Sequence, residues 1–179
     1  MAEQNGTEEA GRSKAPEGGG RYPGGYRTPS ESVVETTKSL KYEDINGYGR
    51  LFGGVLMQWI DEVAGTVARR HCRTLVTTAC VDNLNFKNPA YNGDTVVLVG
   101  YVTYTGNTSL EVQVDTYVEK IDGTRYDINT AYLVMVAVDE EGKAIPVPQI
   151  VPETESQKEL WEMAKKRYEL RKQRRKEGY

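Results

Sequence analysis

An α+β fold, in which one long apolar helix is wrapped by an antiparallel sheet, is what this 179-residue sequence predicts. Three observations carry the prediction. A helical run of apolar residues begins near Gly53, four long segments with a period of two follow it, and short turn signals at Gly106-Asn107 and Asp122-Gly123 join strands as antiparallel neighbours require. A helix apolar enough to be buried on both sides calls for a sheet curved around it.

Residues 1–31 are Gly, Pro, Glu and Ser with almost no aliphatic side chains. They cannot bury enough surface to offset their chain entropy and are expected to be a disordered extension. SVVETTKSLKY, Ser32 to Tyr42, has strand character, and Asn46 to Gly49 supplies loop residues. Leu56, Trp59, Ile60, Val63 and Val67 then recur at spacings of three and four, in a helix expected to end near Arg69 to Cys72. Leu75 to Phe86, Thr95 to Thr105, Ser109 to Ile121 and Tyr126 to Asp139 read as strands rich in Val, Thr and Tyr. In the third, Leu110, Val112, Val114, Thr116 and Val118 alternate with Glu111, Gln113, Asp115, Tyr117 and Glu119, which predicts one buried and one wet face. A proline-stiffened connector runs from Ile145 to Pro152. Thr154 and Gln157 then fit a capping box that opens a last helix, marked by Leu160, Trp161, Ala164 and Tyr168. The chain thus divides into an extension (1–31), one domain (32–152) and a basic C-terminal helix (153–179).

The net charge of −3 argues against a protein that coats nucleic acid. The N-terminus lacks a signal-peptide run and no stretch approaches the ~20 apolar residues of a membrane span, so a cytoplasmic protein is expected. Cys72 and Cys80 form no CxxC and read as buried thiols, so no metal site is expected. The single histidine, His71, reads as a helix-end residue that complements the dipole. Chemistry therefore falls to carboxylates, amides and backbone. Lys165, Lys166, Arg167, Arg171, Lys172, Arg174, Arg175 and Lys176 read as a solvated helix face, with steering of anionic phosphates as the functional alternative.

The helix carries two acids, Asp61 and Glu62. On a helical wheel Glu62 shares a flank with Gln58 and Arg69, as a wet residue would. Asp61 lines up with Met57, Ala64 and Ala68, neighbours that would solvate it poorly and prepare it as a general base or nucleophile; the alternative is that both acids are ordinary solvated surface residues. Gly53 and Gly54 leave the helix-start N–H groups uncovered, where with the helix dipole they can receive an oxyanion. Eight helical rises, roughly 12 Å, separate Gly53 from Asp61, too far to serve one carbonyl. Two copies packed antiparallel bring Asp61 of one chain to the glycines of the other, giving a homodimer with two equivalent sites.

NGYGRLFGGVLMQWIDEVAG, VTTACVDNLNFKNPAYNGD, GNTSLEV and PVPQIVPETE, in this order, resemble the hotdog-fold acyl-CoA thioesterases, most closely the cytosolic long-chain acyl-CoA hydrolases. The resemblance runs from about Ser32 to the end. It implies a hotdog fold and hydrolysis of fatty acyl-CoA to free acid and CoA. It also implies dimers assembled into hexamers, with coenzyme A as part of substrate and product and no separate cofactor. It places the essential acid on Asp61, the essential asparagine on Asn46, the polarising amides on Gly53 and Gly54, and CoA contacts on Arg69, Phe86 and Ser109. Direct attack by Asp61 through an anhydride is the alternative mechanism. The rival functions are a hotdog dehydratase, for which His71 is badly placed, and an acyl-CoA sensor that binds without hydrolysing.

Overall fold

The computed structural model describes residues 24–178. The disorder expected for 1–31 lies outside them as far as residue 23. From Gly24 the chain is built into the fold, which moves the expected boundary at residue 31 toward the N-terminus. Tyr26–Arg27 (β1) pair in parallel with Gln149–Ile150 (β7), and Pro29–Ser32 form a 3-10 turn. The β1 backbone is satisfied by the connector, with Gln149 N–H donating to Gly25 O at 2.8 Å and Val151 N–H to Arg27 O at 2.8 Å. The next strand, β2, is therefore shorter than expected, at Val34–Ser39.

Gly53–Cys72 form α1. It is followed by β3 (Leu75–Phe86), β4 (Thr95–Thr105), β5 (Ser109–Glu119) and β6 (Arg125–Val138), all within two residues of the sequence reading. The sheet is antiparallel throughout, in the order β2-β4-β5-β6-β3. Leu56, Trp59, Ile60, Val63, Ala64, Val67, Ala68 and His71 are the buried residues of α1. They meet the inner face of the sheet at Leu98, Val102, Val112, Val114, Ala131 and Leu133. The helix comes close because Gly100 has no side chain; a Cβ there would lie 2.6 Å from Val63. Arg73 ends α1 in the left-handed region at φ 56°, its N–H donating to Arg69 O.

The outer face differs from the expectation of a wet surface. Glu155–Glu177 form α2, opened by Thr154, whose hydroxyl accepts from Gln157 N–H at 3.2 Å. Tyr104 on β4 packs its ring against Trp161 and Tyr168. Arg167 stacks on Tyr132 of β6 and pairs with Glu111 of β5 at 2.7 Å. Arg171 reaches both Glu111 and Asp82 of β3, and Arg174 also holds Asp82. Glu111 consequently has a fully buried side chain, and three members of the basic run are ion-paired on the sheet rather than solvated. A buried carboxylate is sustained by such pairing. Burial alone would raise the Asp82 carboxyl, but hydrogen bonds from Arg171 and Arg174 outweigh it and hold it below the usual range. No described helix is long and apolar enough to cross a membrane.

Candidate active site

Asn46 shapes the loop before α1. Its Oδ1 accepts from the N–H groups of Tyr48 (2.9 Å) and Arg50 (3.2 Å), and its own N–H donates to Arg50 O at 2.8 Å. With Oδ1 engaged in this Asx turn, Nδ2 is the end of the side chain left to meet a ligand. The loop leads into a helix without an ordinary cap. Phe52 occupies the N-cap position and has no side-chain acceptor, so the first N–H groups of α1 lack a cap partner.

Two rings close over the glycines instead. A Cβ on Gly54 would lie 2.8 Å from the Phe52 ring, and one on Gly53 would lie 3.3 Å from the Phe86 ring. Only glycine leaves those amides open so close to aromatic walls. Beside them is a cleft of about 280 Å³ whose lining mixes polar Asn46, Arg50, Lys87 and Asn88 with apolar residues that include Leu56 and Phe86. Asn46, Gly53 and Gly54 are thus neighbours in one chain.

Asp61 stands apart from them, exposed on the single chain, with Thr78 Oγ1 of β3 donating to its Oδ1 at 2.6 Å. The Ala-rich edge behind it is buried, yet the carboxylate itself is not. Glu62 is the wet residue expected, accepting from Gln58 Nε2 at 3.0 Å. Thr78 is a candidate the sequence reading missed. Its signal is VTTAC, a threonine on the helix-facing side of a strand at the sheet edge, where Thr78 opposes the buried Met135.

The three expected CoA contacts are not brought together in one chain. Phe86 lies beside the start of α1, exposed rather than core. Arg69 is sixteen rises further along the helix, about 24 Å, donating to Thr66 Oγ1 on its own helix. Ser109 opposes Val136 and Phe86 opposes Asn129, so seven residues of β6, about 23 Å, separate Ser109 from Phe86.

His71 is not a dipole-complementing surface residue. It is wholly buried, with Nδ1 3.1 Å from Ser32 Oγ and Nε2 3.0 Å from Pro148 O, tying α1 to the 3-10 turn and the connector. Burial pushes its imidazole below its ordinary value; the Pro148 carbonyl works the other way, and Arg27 adds to the depression. Nor are both thiols buried. Cys72 is half-buried, its thiol pushed up to about 11 by burial, while Cys80 is exposed because β3 is an edge strand.

The arrangement can polarise a carbonyl at the helix start and hold a carboxylate base on a free edge. The thioesterase superfamily model matches residues 48–124. An uncharacterised acyl-CoA thioester hydrolase of Bacillus subtilis is 41% identical over 145 residues, 80% of this chain and 84% of that one. The cytosolic acyl coenzyme A thioester hydrolase of Rattus norvegicus is 42% identical over 129 residues, 70% of this chain but 34% of its own length. The chain thus spans about a third of that mammalian relative. Among solved structures, the acyl-CoA hydrolase of Staphylococcus aureus, with butyryl coenzyme A, coenzyme A and coenzyme A disulfide, has a TM-score of 0.81 at 35% identity, covering 85% of this chain and 93% of that one. Variants of that enzyme with an aspartate, an asparagine or a threonine replaced by alanine have also been solved. A hexameric acyl-CoA thioesterase has a TM-score of 0.81 at 40% identity, covering 84% and 97%. The chain belongs to the thioesterase superfamily, with the hotdog fold, and within it to the acyl-CoA thioester hydrolases.

Proposed function

We propose that the protein hydrolyses the thioester of fatty acyl-CoA to free fatty acid and CoA, at two sites of a homodimer in a cytoplasmic setting. The Gly53 and Gly54 amides polarise the thioester oxygen. Asp61 of the facing chain takes a proton from a water that Asn46 holds, and Thr78 fixes the carboxylate by occupying one of its oxygens. Water adds to the carbonyl carbon, the C–S bond breaks, and CoA leaves as the thiolate that recovers the proton from Asp61. Phe86 of one chain and Arg69 and Ser109 of its neighbour flank the CoA arm.

The observation that carries this reading is the Asp61–Thr78 pair, a carboxylate ordered at 2.6 Å but facing outward beside the free side of β3. Among the described residues β3 is a twelve-residue edge strand with no strand on its outer side, a template for a second copy. Pairing there sets the exposed acid against a partner. The positions changed in the S. aureus variants stand 15 and 17 residues apart, as Asn46, Asp61 and Thr78 do here, which supports the trio. The hexameric relative supports a trimer of such dimers.

Acyl-CoAs from acetyl to palmitoyl, assayed by release of free thiol, test the reading with wild type and Asp61→Asn. Continuous turnover that falls by about 10²–10⁴ in the variant is expected. Stoichiometric binding without thiol release at every chain length would replace hydrolysis with sensing.

A further inference from the structure

Of the basic run on α2, Arg167, Arg171 and Arg174 are paired on the sheet, and Lys165 lies over the Trp161 ring. Lys172 and Arg175 are exposed, and among the described residues their side chains have neither an ion pair nor a hydrogen bond. Both line a cavity of about 220 Å³ between α2 and the turn at residues 106–109 that joins β4 to β5. The half-buried Thr108 and Ser109 line it as well, and their hydroxyls too are without a partner among the described residues. The carboxylate of the lining, Glu111, is already held by Arg167 and Arg171. Two uncommitted cations and two uncommitted hydroxyls thus surround a space with no anion to match them, a donor set suited to phosphate oxygens.

The turn is held firmly in place. Gly106 N–H donates to Ser109 O at 2.8 Å, Gln149 Nε2 to Gly106 O at 2.8 Å and Val147 N–H to Asn107 O at 2.9 Å. Tyr168, whose ring packs on Tyr104, forms one wall and offers a face to a base. The cavity is smaller than the roughly 300–1,000 Å³ that takes a whole drug-sized ligand, and suits one end of a long one. Its position relative to Asp61 says which. Leu110, in its wall, opposes Met135 across β5 and β6, and Thr78, which holds Asp61, opposes the same Met135 from β3. Two strand spacings, roughly 10 Å, therefore separate them. The turn also lies at the end of the sheet where α1 finishes: Leu75, three residues past the helix, opposes Val138, and Ser109 opposes Val136. An extended arm can pass around that end without crossing the sheet.

We infer that Lys172, Arg175 and the hydroxyls of Thr108 and Ser109 hold the phosphorylated adenosine end of the CoA whose thioester meets Asp61 of the same chain, which makes α2 part of the substrate site. The assignment rests on the acyl-CoA hydrolase reading and deepens it: Ser109 flanks the arm in that reading, and the two α2 cations anchor the arm's far end. The nucleotide takes no part in bond breaking. Its contacts hold substrate and transition state alike, and so act on KM and not on kcat.

Steady-state kinetics with octanoyl-CoA and with octanoyl-pantetheine, which carries the same thioester without the nucleotide, test this in wild type and in a double variant, Lys172→Gln with Arg175→Gln. The variant is expected to raise KM for octanoyl-CoA about tenfold with kcat unchanged, and to leave octanoyl-pantetheine kinetics as they are. An unchanged KM for octanoyl-CoA overturns the assignment, as does an equal rise for both substrates. Adenosine 3′,5′-bisphosphate should compete with octanoyl-CoA and leave octanoyl-pantetheine turnover alone; inhibition of both alike would make the cavity a site for free nucleotide and overturn its assignment to CoA. Calorimetric titration with the same bisphosphate adds a readout independent of turnover. Binding about tenfold weaker in the variant is expected, and equal binding, or none to wild type, overturns the site. If neither thioester is hydrolysed, it is the hydrolase reading that fails, and the titration still judges the cavity.

Discussion

At the scale of single residues, the proposed mechanism rests on Asp61 and on Thr78, which donates to its carboxylate at 2.6 Å. A hydrogen bond to a charged group contributes about 1.5–3 kcal/mol. Thr78→Val should therefore lower kcat by roughly ten- to a hundredfold with little change in KM, because the lost contact orients the base rather than the substrate. A change confined to KM would move Thr78 to substrate binding. Helical geometry alone separates Asp61 from Glu62, which is why the sequence singles it out, although its carboxylate is exposed on the single chain rather than poorly solvated. Thr78 was not legible, since its partner lies 17 positions away across a turn and no local period announces such a contact. His71 was misread for a related reason, as its partners Ser32 and Pro148 come from distant segments. Its depressed imidazole has a pH consequence. The unfolded chain takes up a proton near pH 6.5 while the folded one does not, so stability is fully present above that value and falls as pH is lowered through it toward the folded-state value. Denaturant titrations between pH 7.5 and 5 should show this slope in wild type, and a flatter one in His71→Gln. Identical slopes would mean that His71 is not the group responsible.

At the scale of elements, the start of α1 sacrifices a cap. A side-chain acceptor at the N-cap contributes about 0.5–2 kcal/mol to a helix, and Phe52 provides none. Phe52→Asp should raise stability by an amount in that range while lowering kcat by tenfold or more, since the new carboxylate would occupy the N–H groups that the proposed mechanism assigns to the thioester oxygen. A variant both more stable and fully active would mean that those amides do not polarise the carbonyl. The helix and the four long strands were readable because apolar spacing reports element type almost directly. What covers the sheet was not. The alternation through Glu111, Gln113 and Asp115 predicts a polar face, and that face is polar; but only the descent of α2, with Arg167 and Arg171 in register with Glu111, turns it from a wet surface into a buried ionic layer. The same arginines looked like a solvated run because ion pairs between elements leave no trace in local spacing.

At the scale of the whole molecule, the single chain keeps the proposed base and the proposed polarising amides apart. Asn46, Gly53 and Gly54 gather at one end of α1, while Asp61 sits about 12 Å along it beside the free edge of β3. That helical distance is what leads the sequence reading to a site shared between two copies. That β3 lies at an edge of the sheet was not legible, because strand order in a sheet is not written in the order of strands along the chain. A site shared between chains can be split and rebuilt. Asp61→Asn and Asn46→Ala should each be nearly inactive alone; unfolded, mixed in equal amounts and refolded together, they should form heterodimers in which one of the two sites is wild type in every residue, restoring about a quarter of wild-type activity. Recovery to that level is what a shared site predicts. A mixture as inactive as its components, with heterodimers demonstrably present, would show that each chain builds its site alone and would contradict the account.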